Sequence, residues 1–153
     1  MARIKLDKKD LEKNLERALT GFALEFANKL ADNAPFDHGH LRREIRKNWK
    51  VEKKAGVWVI TFGFPFYAEF LERGTGIYGP TGLPIQPTTK KVLAWPAGVK
   101  YRGKYGSMHE HKGSKNWYAF KWVRGIQPQP FIRPTIHKDM LPILKRNLKR
   151  FVK

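Results

Sequence analysis

Apolar residues recur every three or four positions at Leu11, Leu15, Leu19, Phe22, Phe26 and Leu30, with Ala18, Ala23 and Ala27 along the flank. That period is the α-helical one, so the stretch predicts one long amphipathic helix. Asp7 is placed to accept from the free amides of the first turn, and Pro35, with Asn33 before it, supplies the stop. A helix of roughly 25 residues, about 37 Å long, follows from these limits. Gly21 lowers the local propensity without interrupting the stripe. After the turn Asp37-His-Gly-His, residues Leu41 to Ile45 read as a short helical segment whose free amides Asp37 is placed to cap.

The period then changes. Trp49 and Val51, followed by Val57, Trp58, Val59, Ile60, Thr61 and Phe62, are β-formers interrupted at Ala55-Gly56, the pattern of a β-hairpin between Lys47 and Phe64. Phe66 to Arg73 reads as one or two helical turns ending at Gly74, and the glycines and prolines from Gly76 to Pro87 make an extended loop. Lys90 to Trp95 and Trp117 to Val123 are further strand candidates, separated by a polar basic loop over residues 98–116. In Gln127-Pro-Gln-Pro-Phe-Ile-Arg-Pro134 each proline fixes its own φ and biases the residue before it toward extended geometry. This stiff path delivers Phe131 and Ile132 to a defined place. Ile136, Met140, Leu144, Leu148 and Phe151 predict a C-terminal helix, with Pro142 marking a kink or the start of a second segment. Lys145, Arg146, Lys149 and Arg150 on its other side complement the dipole near its C-terminal end.

These elements predict an α+β fold: a long N-terminal helix and a C-terminal helix packed on a small, mostly antiparallel β-sheet, with a long mobile basic loop. At 153 residues, a single domain over residues 1–153 is expected. The chain has no cysteine, which excludes disulfide frameworks, thiolate zinc sites and cysteine nucleophiles. The first residues alternate charged and apolar side chains, so neither a signal segment nor a membrane span is expected and the protein should be soluble and unprocessed.

Charge narrows the partners. The net charge is +18, and between Arg73 and Asp139 the only carboxylate is Glu110. A field of that sign attracts nucleic acid, an anionic membrane surface or an acidic protein. Within the loop, Lys100, Arg102, Lys104, Lys112 and Lys115 are interleaved with Tyr101, Tyr105, His109 and His111 and followed by Trp117, a set suited to phosphate contact and base stacking. The other reading of this loop is a segment that orders only against a neighbouring protein. His38 with His40, and His109 with His111, form two His-x-His pairs, but no metal site or cofactor is predicted from them. No Walker loop, dinucleotide glycine pattern or Ser-His-Asp signature is present, and no enzyme is predicted. Two alternatives remain on charge alone: a stand-alone basic nucleic-acid-binding protein, and a ribonuclease-like toxin using His109, Glu110, His111 and Arg124.

Three separated segments resemble one family. Ala34-Pro-Phe-Asp-His-Gly-His-Leu-Arg-Arg-Glu-Ile45 is similar to the box that follows the first helix in the neck and tail-completion proteins of long-tailed bacteriophages. Tyr67-Ala-Glu-Phe-Leu-Glu-Arg-Gly-Thr75 and Gln129-Pro-Phe-Ile-Arg-Pro-Thr135 resemble two further boxes of that family, in the same order and between two helices. The resemblance runs from Leu11 to about Leu148. His38 and Glu44 depart from the family's usual threonine and serine, and the basic loop is expanded. The resemblance implies a non-catalytic virion protein, assembled in the host cytoplasm, that forms a homo-oligomeric ring, a hexamer, at the head–tail junction. Such a ring lines or seals the DNA channel and docks the tail. Its partners would be connector or head-closure proteins, tail-tube or terminator proteins and, non-specifically, packaged DNA, with no membrane.

In such a ring, Tyr67, Glu69, Glu72, Arg73, Phe131 and Arg133 are the candidate subunit contacts, and Lys100, Arg102, Lys104, Lys112 and Lys115 the candidate contacts to DNA or a partner. Helical spacing puts Tyr67, Phe70 and Leu71 on one face and Glu69, Glu72 and Arg73 on the rest, so the carboxylates would meet basic residues of the next subunit. The alternative is a solvated face with Tyr67 and Phe70 in the core. Core packing is likewise the alternative for Phe131 and Ile132, while Arg133 either fixes the tail helix through a carboxylate or reaches a neighbour.

Overall fold

The computed structural model describes residues 7–36, 39–96 and 117–151. They belong to two compact units, the first from Met1–Pro65 with Phe131–Lys153 and the second from Phe66–Pro130.

The first unit is built on α1 (Lys8–Asn33), whose start is capped as predicted, the Lys9 amide donating to Asp7 Oδ1 at 3.1 Å. Its end is set by Ala34, held extended at ψ 143° ahead of Pro35. Ala18, Phe22, Ala23, Phe26, Ala27, Leu30 and Ala31 form the buried face, in which the Phe22 and Phe26 rings stack with centroids 5.5 Å apart. Leu11, at the head of the predicted stripe, is exposed. The first turns of α1 meet the hairpin through a polar contact instead, Lys53 Nζ to Glu12 Oε1 at 3.1 Å.

Arg42 closes the other end of α1 by donating from Nε and Nη2 to the Ala34 carbonyl at 3.1 and 2.8 Å. Arg42 belongs to α2 (His40–Lys47), which buries Leu41 and Ile45 and is entered through Gly39 at φ 70°. Asp37, the predicted cap, lies outside the described residues. The box Ala34–Ile45 is thus a connector that turns the chain and seals a helix end with one arginine.

Next come β1 (Trp49–Lys54) and β2 (Val57–Phe62), antiparallel in the register Trp49↔Phe62, Val51↔Ile60 and Lys53↔Trp58. The two turn residues, Ala55 at φ 48° and Gly56 at φ 83°, carry the positive φ pair that a tight hairpin of right-handed twist requires. Phe62 meets Phe26 of α1 edge to face at 5.3 Å.

The C-terminal helix is in three pieces: α4 (Ile132–Thr135), a π-helical turn (Ile136–Met140) and α5 (Leu141–Phe151). Pro142 explains the break, since its ring crowds the carbonyl four residues back and the wider π turn upstream relieves that clash. The extra residue in that turn rotates the buried face. Ile136 of the predicted stripe is therefore exposed, Met140, Leu144 and Leu148 are half-buried, and the buried positions are Thr135, Ile143 and Asn147. Asn147 is satisfied, its Nδ2 donating to Glu25 Oε2 of α1 at 2.9 Å and to the Ile143 carbonyl at 3.0 Å. Arg146 pairs with the same carboxylate. Thr135 donates to the Phe131 carbonyl at 2.5 Å and accepts from Asn33 Nδ2 at 2.8 Å.

The second unit contains α3 (Tyr67–Arg73), a 3₁₀ turn (Gly76–Tyr78), and the antiparallel strands β3 (Leu93–Pro96) and β4 (Trp117–Phe120), paired from Leu93↔Phe120 to Pro96↔Trp117. Beyond β4, Val123 exchanges backbone hydrogen bonds with Ile85 at 2.9 and 3.0 Å. The α+β class and both terminal helices stand. Among the described residues the strands form two separate two-stranded sheets, one per unit.

Candidate functional site

Among the described residues, the second unit holds its short helix with backbone rather than with a large apolar core. The Thr75 amide donates to the Ile126 carbonyl at 2.9 Å, Ile77 to Arg124 at 2.8 Å, and Gln129 to Leu71 at 2.7 Å. The Ile126 amide returns a bond to Thr75 Oγ1 at 2.9 Å. This approach is close enough to require glycine. A Cβ on Gly76, at φ 63°, would stand 2.1 Å from the Arg124 carbonyl oxygen, and one on Gly125, at φ 93°, 2.1 Å from that of Thr75. The Gly-Thr end of the Tyr67–Thr75 box and the segment leading into Gln129 are thereby locked together across fifty residues of sequence.

That lock orients α3. Ala68 is its one buried residue, Tyr67 and Leu71 are half-buried, and Phe70 is 48% exposed. The alternative that placed both Tyr67 and Phe70 in the core does not hold for Phe70: the helix spans only two turns, its C-terminal end is fixed to the backbone of residues 126–129, and the small residue turns inward. Phe66, immediately before α3, is 83% exposed, and its ring meets Tyr67 and Phe70 edge to face at 5.9 and 6.3 Å. Three aromatic rings therefore form a surface cluster.

Beside them, Glu69 Oε1 and Arg73 Nη1 pair at 3.2 Å along the helix, both well exposed, and Glu72 is half-buried. Residue spacing did not single out Phe66. Charge spacing carries the signal: from Ala55 to Thr89 the only charged residues are Glu69, Glu72 and Arg73, in a chain of net charge +18.

The remaining candidates are scattered. Phe131 is 2% exposed in the core of the first unit, edge to face with Phe64 at 6.3 Å, so it has almost no surface to offer a neighbour. Arg133 is exposed on α4, and Arg124 is exposed in the second unit. Lys100, Arg102, Lys104, Lys112 and Lys115 lie outside the described residues, as do His38, His109, Glu110 and His111. Among the described residues no group of three or more His, Asp or Glu is placed to hold a metal ion, and no helix is long and apolar enough to cross a membrane.

One carboxylate is electrostatically unusual. Glu52 on β1 lies between Lys50 and Lys54, with Nζ to oxygen distances of 2.8 Å to each. Their hydrogen bonds hold its carboxyl at about 2, below the ordinary value of 4.5. The trio gives the hairpin a local net positive charge facing Thr61, Val59 and Val57 of β2.

No curated protein and no solved structure matches the chain. Residues 2–74 match the sequence model of the HK97-gp10-like family, described as bacteriophage HK97-gp10, putative tail-component. The match takes in α1, the Ala34–Ile45 connector, the hairpin and α3 through Gly74. The N-terminal part of this chain, residues 2–74, is thus similar to a phage tail-component family, in keeping with the neck and tail-completion resemblance.

Proposed function

We propose that the protein is a structural, non-catalytic part of the phage virion that assembles into a ring, a hexamer, at the head–tail junction, lining or sealing the DNA channel and docking the tail. The match of residues 2–74 to a phage tail-component family carries this reading. The box at Gln129–Thr135 lies beyond the matched stretch and supports it, because Thr135 bonds the C-terminal helix to Asn33 of α1 and Phe131 is buried against Phe64.

In this role Tyr67, Glu69, Glu72, Arg73 and Arg133 contact the neighbouring subunit, and Phe131 acts from the core by holding α4 in place. Lys100, Arg102, Lys104, Lys112 and Lys115 face DNA or an adjoining ring. Connector or head-closure proteins and tail-tube or terminator proteins are the partners. Contact with DNA is weak and sequence-independent, since a tight grip would oppose passage of the genome.

Size-exclusion chromatography with light scattering, alone and with the tail-tube and connector proteins of the same phage, tests the reading, with electron microscopy of the products. A ring, or co-assembly into one, is expected. A protein that stays monomeric, ignores virion parts and binds duplex DNA tightly with a steep salt dependence would overturn it and establish the second reading. The net charge of +18 is the observation that favours that second reading, a stand-alone nucleic-acid-binding protein.

A further inference from the structure

We infer that the aromatic cluster of Phe66, Tyr67 and Phe70 is a docking knob for a second copy of this chain. Phe66 and Phe70 lie open at 83% and 48% exposure, and their rings are already ordered edge to face at 6.3 Å. Aromatic side chains presented rigidly in this way lose little freedom on binding and are enriched among residues that dominate interface energies.

Charge selects the occupant. The knob stands beside Glu69, Glu72 and Arg73, the only charged residues from Ala55 to Thr89, with Glu69 and Arg73 paired at 3.2 Å, so this stretch carries a net charge of −1 whereas the chain as a whole has 31 Lys and Arg against 13 Asp and Glu. An aromatic surface with a small net negative charge offers no cationic cluster to the phosphates of nucleic acid and fits a basic protein surface, where its rings meet the cationic groups of Lys or Arg. A second copy supplies such a surface, with Lys90, Lys91, Lys121 and Arg124 all exposed. Knob and complement consist of different residues, so the contact is heterologous, the type that generates rings when the rotation closes. The inference rests on the reading of the protein as a self-assembling virion part.

Two measurements on the full chain test it. A photo-crosslinking phenylalanine analogue at position 66 should yield an adduct between two copies, mapped to a basic segment of the second. The double variant Phe66→Ser/Phe70→Ser, which alters only exposed rings and should keep its helical circular dichroism, should weaken self-association by roughly thirtyfold or more. Rings that form undiminished from the double variant, or a crosslink only within one copy or only to another protein, overturn the knob and leave the ring reading standing. A wild-type chain that neither self-associates nor joins tail and connector proteins, and gives no crosslink between copies, overturns both.

Discussion

The two units of this protein are held together by different physical means. In the first, long helical faces bury rings and alanines: Phe22, Phe26, Phe131, Leu30 and Ile45 fill the interior, and the few buried polar groups, Asn147 and Thr135, are bonded across to α1. In the second, Ala68, Phe120 and Val123 are the buried apolar side chains among the described residues, and the arrangement is fixed by backbone hydrogen bonds through three glycines, Gly74, Gly76 and Gly125. A side-chain core tolerates modest change of shape because rotamers adjust. Backbone set 2.1 Å from where a methyl would sit has no such freedom. The contrast suits a division of labour in which one unit supplies stability and the other presents a short helix in a set orientation.

The strongest way to break the first unit is Phe131→Ala. It removes a fully buried ring and is expected to destabilise by about 3–5 kcal/mol, read as a lower denaturant midpoint with loss of amide protection in α1 and α5. A cost under about 1 kcal/mol would mean that the C-terminal helix docks without it.

Next in size is Gly76→Ala. Left-handed backbone costs an alanine about 1–2 kcal/mol and the steric overlap about 1–3 more. Its signature is local: the amides of Thr75 and Ile77 should lose hydrogen-exchange protection while those of Phe22 to Leu30 keep theirs. Equal loss in both units would show that they do not differ in the way described.

The smallest effect is electrostatic and sharpens the description of the hairpin. Glu52 has a folded pKa near 2, below its ordinary 4.5, so its contribution is present above the unfolded value and fades as pH falls through the interval toward 2. An NMR titration of the Glu52 carboxyl should show that midpoint, and Lys50→Ala should move it upward. A midpoint near 4.5 in the wild type would mean that the lysines are not held against it.

Local patterns made much of the first unit legible in advance. The start and stop of α1, the hairpin turn at Ala55-Gly56 and the break at Pro142 each depend on residues adjacent in sequence: a capping carboxylate, a pair of positive φ angles, a ring without an amide. The candidate site was less legible. Tyr67, Glu69 and Arg73 lie in or beside the surface cluster, but Phe66, its most exposed ring, followed from no period. Phe70 faces outward because of a backbone contact made by residues 124–129.

By itself the sequence determined which elements form, in what order, and that residues 2–74 are similar to a phage tail-component family, because periodicity, caps and motifs are properties of neighbouring residues. Only the tertiary structure decided which faces are buried: Ile143 and Asn147 in place of Ile136, Phe131 in the core, Ala68 inward and Phe66 outward. Burial depends on what distant segments bring against a surface. For α3 that segment is the Arg124–Gln129 backbone, which reaches it through a gap that only glycine leaves open.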